Sequence, residues 1–145
     1  MSATAILAIG SPFGADRIGW QIAEQLLLQK RENVHVCRHP IDLLQYFAQY
    51  KQCYVIDALW ADSMGDGEMI QLQPEELKKR HCLGSHGLTL YEVIQLAKIS
   101  GQLPEQVRII GINISKRSTR AFSDAEIRSL VDRLSDVAFD LRAAG

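Results

Sequence analysis

The sequence predicts an α/β protein, a three-layer αβα sandwich around a mostly parallel, twisted sheet of about five strands. Short apolar runs, typical of strands buried on both faces, alternate along the 145-residue chain with longer segments whose apolar residues recur at helical spacing. Such alternation gives parallel strands joined by right-handed crossover helices that cover both faces of the sheet. This length suits one buried core and is too short for two ordinary domains, so we expect a single domain over residues 1–145.

The first half of the chain contains three predicted strands and two predicted helices. An apolar run at 4–9 ends at Gly10, and apolar residues recur at helical spacing over 19–29. Residues 53–58 are β-branched and apolar, as in an interior strand. The predicted elements are, in order, a strand at 4–9, a helix at 19–29, a strand at 34–37, a helix that begins near Pro40 or Asp42 and includes Phe47 and Ala48, and a strand at 53–58.

The second half of the chain contains two more strands and two more helices. Residues 68–72 follow a turn at 65–67 and alternate in polarity, which predicts a strand exposed on one face at an edge of the sheet. Residues 89–100 have a clear helical pattern that ends at Gly101, and a strand follows at 107–114. Residues 123–126 have capping-box spacing before a last helix. Its predicted inward residues are Ile127, Leu130, Val131, Leu134, Val137 and Leu141.

Charge and composition exclude several classes of function. Sixteen Lys and Arg residues against seventeen Asp and Glu residues leave a net charge of −1, so we expect no binding to nucleic acid or to an acidic membrane surface. No apolar run approaches the roughly 20 residues that span a bilayer, and no signal peptide is recognisable, so we expect a cytoplasmic protein. The three cysteines form no CxxC pair, which favours buried, reduced thiols.

Three polar residues follow apolar segments where ligands usually bind. Asp16 lies in the loop at 10–19, Asp57 ends the apolar run at 54–56, and His86 lies between small residues at 84–87. Because ligands of parallel sheets bind outside the carboxyl ends of the strands, we expect Asp16 and Asp57 to be neighbours. Two carboxylates and one imidazole form a nitrogen and oxygen donor set that suits zinc, nickel or manganese. The three residues are therefore a candidate metal site.

Each of these residues also has an alternative role. Asp16 could cap the helix that follows it. Asp57 needs a compensating group, which Arg17, backbone N–H groups or a metal could supply. His86 could be a surface or capping histidine. Nucleotide binding is disfavoured, because the glycines of the first loop do not fit G-x-G-x-x-G and an acidic residue there repels a phosphate.

Four segments carry a family resemblance in their order and spacing. They are Gly10-Ser11-Pro12-Phe13 with Asp16-Arg17-Ile18-Gly19, then Ile56-Asp57-Ala58, then the histidine motif that starts at Ser85-His86-Gly87-Leu88, and finally Gly101-Gln102-Leu103-Pro104 with the strand ending in Gly111-Ile112. This set resembles the [NiFe]-hydrogenase maturation endopeptidases, whose opening motif is G-N-P-L-x-x-D-D-G-V-G. The resemblance runs from about residue 6 to residue 114.

The resemblance implies an activity, a partner and a site. It implies an endopeptidase that removes the C-terminal extension of a [NiFe]-hydrogenase large-subunit precursor after nickel insertion. Asp16, Asp57 and His86 match the family's metal-site residues. The implied metal is the nickel of the precursor, which these side chains recognise, although zinc or another divalent ion could occupy the site. We expect the protein to act as a monomer.

Two loops depart from the family pattern. The first loop has Ala15-Asp16 where the family has two acids, and we align Asp16 with the second because this keeps Ile18-Gly19 in register. The family's D-G-G-T segment is replaced by residues 37–42, in which His39 and Asp42 could line the cleft or Asp42 could cap a helix. Two other functions stay open at this point. One is a paralogue that binds the precursor without cutting it, and the other is a small-molecule hydrolase or nucleotide-binding module.

Overall fold

Every strand and helix that the sequence predicts is present in the structure. The computed structural model describes residues 4–79, 81–82, 88–117 and 119–137. The strands are β1 Thr4–Ile9, β2 Val34–Cys37, β3 Gln52–Trp60, β4 Met69–Leu72, β5 His81–Cys82 and β6 Gln106–Asn113. The helices are α1 Ile18–Leu28, α2 Leu43–Phe47, α3 Leu90–Ile99 and α4 Asp124–Val137, with short 3₁₀ turns at Gly14–Arg17, Pro40–Asp42 and Pro74–Lys79.

The sheet is mostly parallel, as predicted. Its strand order is β2-β1-β3-β6-β4, with β2, β1, β3 and β6 parallel to one another. The strand β4 is antiparallel to β6 and lies at the edge of the sheet, which confirms the prediction from its alternating polarity. The two-residue strand β5 is an addition to the prediction. It pairs antiparallel with the end of β3, where Leu59 is opposite Cys82.

The helices form two layers, one on each face of the sheet. Side chains of α1 and α4 pack on one face of β3, against Tyr54, Ile56 and Ala58. Side chains of α2 and α3 pack on the other face, against Val55 and Leu59 among others. Each fully buried leucine or isoleucine contributes roughly 1.5–3 kcal/mol to folding. The three-layer αβα architecture is therefore confirmed.

A glycine fixes the start of α1 against the sheet. A β-carbon at Gly19 would overlap the backbone carbonyl oxygen of Ile9 and would lie 3.5 Å from that of Ile56. Only a residue without a side chain lets α1 begin this close to the carboxyl ends of β1 and β3. The close approach holds the loop before α1 above the same edge of the sheet at which Asp57 lies.

The cysteine and membrane predictions can be compared with the described part of the chain. Cys37 and Cys53 are buried free thiols, as predicted, and burial raises the pKa of each to about 12. Among the described residues, no helix is both long and apolar enough to cross a membrane. The final predicted helix forms as α4, and the predicted inward residue Leu141 lies outside the described residues.

Candidate active site

Asp57 is a buried carboxylate on a central strand. It lies on β3 opposite Gly111 of β6 and is only 2% exposed. The backbone N–H of Ala58 donates a hydrogen bond to Asp57 Oδ1 at 2.8 Å. Burial raises the pKa of Asp57 well above its ordinary value, the negative charge of Asp16 raises it further, and the bond from Ala58 partly offsets this. Asp57 therefore lies where ionisation is costly.

Asp16 lies in the 3₁₀ turn that precedes α1 and is partly buried. Desolvation raises its pKa, and a hydrogen bond with the Ser11 side chain partly lowers it. The residue before α1 is Arg17, and no side chain caps that helix, so the alternative role of Asp16 as a cap is wrong. Gly10 makes room for the turn, since a β-carbon there would lie 3.0 Å from the backbone oxygen of Asp16.

The structure brings Asp16 and Asp57 together, as the sequence predicts. The start of α1 lies against the backbone oxygens of Ile9 and Ile56, which brings the turn with Asp16 to the edge at which Asp57 lies, and the negative charge of Asp16 is one cause of the raised pKa of Asp57. Within the described part of the chain, no cationic side chain offsets that charge, and Arg17 forms no ion pair with either carboxylate. Two neighbouring carboxylates without a counter-charge attract a proton or a cation. This donor chemistry fits a divalent metal ion.

His86 lies outside the described residues. Before it, β5 ends at Cys82, opposite Leu59 and therefore close to Asp57 along β3. After it, α3 begins with a reciprocal cap, in which Glu92 N–H donates to Thr89 Oγ1 at 3.1 Å and Thr89 N–H donates to Glu92 Oε1 at 3.0 Å. Among residues 4–79, 81–82, 88–117 and 119–137, no three His, Cys, Asp or Glu side chains are grouped to hold a metal. The three-residue metal site stays a prediction.

Asn113 is a buried polar residue that the sequence reasoning missed. It ends β6 opposite Leu59 and is fully buried. Its Oδ1 accepts hydrogen bonds from Ala61 N–H at 3.0 Å and Ser115 N–H at 3.1 Å. Its Nδ2 donates to two backbone oxygens of the same loop, those of Met64 at 3.1 Å and residue 65 at 2.9 Å. The side chain thus holds the loop after β3 in one conformation. The sequence could have indicated Asn113, because it is a polar residue at the end of an apolar strand.

Arg117 forms a second cluster beside the same loop. Its side chain is 2% exposed, its Nε lies 2.9 Å from Asp66 Oδ1, and its guanidinium also pairs with Glu126. The guanidinium carbon lies 3.5 Å from the centre of the Phe122 ring. The hydrogen bond from Arg117 and the backbone N–H of Ser123 lower the pKa of Glu126 to about 2. No sequence pattern predicted this cluster, which joins the β3–β4 loop to α4.

The loop after β2 leads through the 3₁₀ turn Pro40–Asp42 directly into α2. Asp42 Oδ2 accepts a hydrogen bond from the His39 N–H at 3.1 Å, so Asp42 caps the 3₁₀ turn Pro40–Asp42, whereas its side chain makes no cap hydrogen bond to α2. The predicted capping box at α4 is confirmed. The Ser123 N–H donates to Glu126 Oε1 at 2.9 Å, and the Glu126 N–H donates to Ser123 Oγ at 3.2 Å.

The chain has the fold of the hydrogenase maturation endopeptidases. The endopeptidase HybD from E. coli matches with a TM-score of 0.72 at 20% identity, over 99% of this chain and 94% of that chain. The [NiFe] hydrogenase maturation protease HybD from Thermococcus kodakarensis matches with 0.66 at 18%, over 96% and 98%. The protease HycI from Thermococcus kodakarensis KOD1 matches with 0.63 at 22%, over 97% and 92%.

No protein-family model and no curated protein matches the chain. The likeness to these solved structures extends over almost the whole chain. It confirms, at the level of the fold, the resemblance that the sequence motifs indicate.

Proposed function

We propose that the protein is an endopeptidase that removes the C-terminal extension of a [NiFe]-hydrogenase large-subunit precursor after nickel insertion. The observation that carries the proposal is the pairing of Asp16 and Asp57 at the carboxyl edge of a maturation-endopeptidase fold. Both carboxylates have raised pKa values, and no described cation neutralises them. Such perturbed acids at a ligand-binding edge are typical of functional sites rather than of structural ion pairs.

The carboxylate pair also supports recognition of a metal. In the proposed site, Asp16, Asp57 and His86 provide two oxygen donors and one nitrogen donor, as the motif resemblance implies. The metal they face is the nickel of the precursor, which belongs to the substrate; a bound zinc or other divalent ion would polarise the scissile carbonyl in the same position. Recognition through a cation would make processing depend on nickel insertion.

The reaction is hydrolysis of one peptide bond. The oxygen of a water attacks the scissile carbonyl carbon, and an ionised carboxylate of the pair accepts a proton from that water. The carbon–nitrogen bond then breaks, and the leaving nitrogen takes up a proton. A carboxyl with a raised pKa is a stronger base once it is ionised, so burial of the pair strengthens the carboxylate that accepts the proton.

The partner in this proposal is the large-subunit precursor, and the proposed place of action is the cytoplasm. We further propose that one copy of the chain suffices, because Asp16, Asp57 and His86 all come from the same chain.

The experiment is incubation of the purified protein with nickel-loaded precursor from the same source, followed by intact mass measurement of the precursor. Asp16→Asn and Asp57→Asn remove one charge each and keep the shape of the side chain. Asp62→Asn is the matched control, because Asp62 is an exposed carboxylate in the loop just after β3. We expect loss of a C-terminal peptide with the wild type and with the control, and none with the two site variants.

An unchanged precursor mass with the wild type would contradict the proposal. Retained binding of the loaded precursor in that case would indicate a paralogue that binds and does not cut. Full processing by Asp57→Asn would remove Asp57 from the mechanism.

A further inference from the structure

A tryptophan in the first turn of α1 binds the ends of two neighbouring strands together. Trp20 is partly buried, and its Nε1–H donates a hydrogen bond to the backbone oxygen of Cys37 at 3.1 Å. Cys37 is the last residue of β2, and the same oxygen accepts the N–H of Gly10, which follows β1, at 3.1 Å. One carbonyl oxygen therefore links the indole ring to the loops after β1 and β2.

The indole ring also packs against Gly10 next to the turn that carries Asp16. A β-carbon at Gly10 would lie 2.8 Å from Trp20 Cδ1 and 3.0 Å from the backbone oxygen of Asp16. Both distances are shorter than ordinary contacts of a carbon atom, so no side chain fits between the ring, Gly10 and the Asp16 carbonyl group. The ring and the turn therefore pack closely on the same side of Gly10.

Hydrogen bonds continue this set of contacts to Asp16 itself. The N–H of Ser11 donates to the backbone oxygen of Asp16 at 3.4 Å, and the side chains of these two residues are hydrogen-bonded as well. Contacts thus run without a gap from Trp20 through Gly10 and Ser11 to Asp16. A shift of Gly10 would move the backbone that carries the Asp16 carboxylate.

The two carboxylates differ in how the fold holds them. Asp57 lies within β3, a strand of nine residues that pairs with β1 and β6 on its two sides. Asp16 lies in a 3₁₀ turn of four residues outside the sheet. The turn is fixed from α1, where Gly19 approaches the sheet and the next residue, Trp20, contacts Gly10. Groups that act together in a reaction need such support to keep their alignment.

We propose that Trp20 is a positioning residue, which aligns Asp16 with Asp57 through Gly10 and the backbone oxygen of Cys37. This inference rests on the proposed function and deepens it, because it assigns the residue that holds one member of the carboxylate pair in place. Trp20 acts through the turn and does not touch the substrate.

The test measures kcat and KM for processing of nickel-loaded precursor by variants of verified folding. Trp20→Phe keeps a ring beside Gly10 and removes the N–H donor, and Trp20→Ala removes both. We expect kcat to fall about 10-fold in Trp20→Phe and about 100-fold in Trp20→Ala, since a misplacement of about 1 Å can cost that much. We expect KM to stay unchanged, because Asp57 and His86, the other two proposed donors to the cation, do not depend on the turn.

The matched control is Tyr50→Phe, which removes an aromatic hydrogen-bonding group at the opposite edge of the sheet. The Tyr50 hydroxyl lies 3.0 Å from His35 Nε2 and donates to Asn33 Oδ1 at 3.3 Å. Asn33 precedes β2 and Tyr50 precedes β3, so both lie at the amino edge, away from the carboxylate pair. We expect kcat and KM of this variant to match those of the wild type.

Three outcomes would overturn the positioning role. Unchanged kcat in both Trp20 variants would show that Asp16 keeps its place without the ring. A higher KM at unchanged kcat would mean that Trp20 contacts the precursor itself. An equal fall of kcat in Tyr50→Phe would assign the effect to a general loss of stability.

Amide hydrogen exchange in the protein alone separates the positioning role from the proposed function. Failure of the wild type to cut the loaded precursor contradicts the function alone. In Trp20→Phe we expect the N–H groups of Gly10 and Ser11 to exchange about 10-fold faster than in the wild type. The N–H of Gly67, which donates to the oxygen of Asn113 at 2.9 Å, should exchange at the same rate in both. Equal exchange at Gly10 and Ser11 would overturn the positioning role, whether or not the protein cuts.

Discussion

Replacement of Asp57 by asparagine is predicted to stabilise the protein while it abolishes processing. Asp57 is 2% exposed, accepts one hydrogen bond from Ala58 and faces the charge of Asp16. Asparagine keeps the Oδ1 acceptor and removes the buried charge. The expected gain is on the order of 1–2 kcal/mol at neutral pH, similar to that of other changes that remove strain from active sites. The melting temperature would rise by about 3–8 °C.

The pH dependence of this gain has a definite sign. In the unfolded chain Asp57 ionises near its ordinary pKa of 3.8, whereas in the folded protein its pKa is raised well above that value. The folded state therefore binds more protons in this window, and the free energy of unfolding falls as pH rises through the raised pKa. Protonated Asp57 contributes its full share of stability only below the unfolded pKa. The advantage of Asp57→Asn grows as pH rises.

Urea unfolding of metal-free protein, with a chelator present, measures this effect at pH 5 and pH 8. The control is Asp62→Asn, whose carboxylate is exposed and should leave the free energy of unfolding unchanged within ~0.5 kcal/mol. A loss of more than 1 kcal/mol in Asp57→Asn, on the order of one broken hydrogen bond, would contradict the predicted gain in stability. It would mean that the ionised Asp57 is stabilised in the fold and has a structural role.

Three further predictions concern the surroundings of the site. Gly19→Ala should lower the free energy of unfolding by about 2 kcal/mol or more in urea, because its β-carbon would overlap a strand carbonyl. Gly65→Ala should have little effect, because its β-carbon would lie in ordinary contact, 3.8 Å from Glu68 Oε2. Asn113→Leu should cost about 2–4 kcal/mol in the same assay, because it leaves four backbone groups without their partner. Arg117→Met should raise the pKa of Glu126 from about 2 toward its ordinary value of 4.5 in an NMR titration, and an unchanged pKa would contradict the role given to the guanidinium.

Most of the fold could be predicted because its signals are local. The apolar run at 4–9 and the helical spacing at 89–100 each determine one element without reference to the rest of the chain. Alternating polarity identified β4 as an edge strand. The strand β5 could not be predicted, since two residues show no periodicity and form a strand only because the end of β3 offers free backbone groups.

The site could be predicted only in part. The placement of Asp16 and Asp57 at one edge could be predicted because the carboxyl ends of parallel strands meet there, and their roles in a site stay predictions. The same reasoning applies to Asn113, which ends β6, and it was overlooked. Arg117 gave no signal, because its partners lie on other segments and become neighbours only when the chain folds. The role of His86 stays a prediction.

In the proposed function, the carboxylate pair serves to process the precursor and does not stabilise the fold. The most direct test is the C-terminal mass of nickel-loaded precursor after incubation with wild type and with Asp57→Asn of verified folding. We predict a shortened precursor with the wild type and an intact precursor with a variant that is at least as stable. Equal shortening by both proteins, or none by the wild type, would contradict the account.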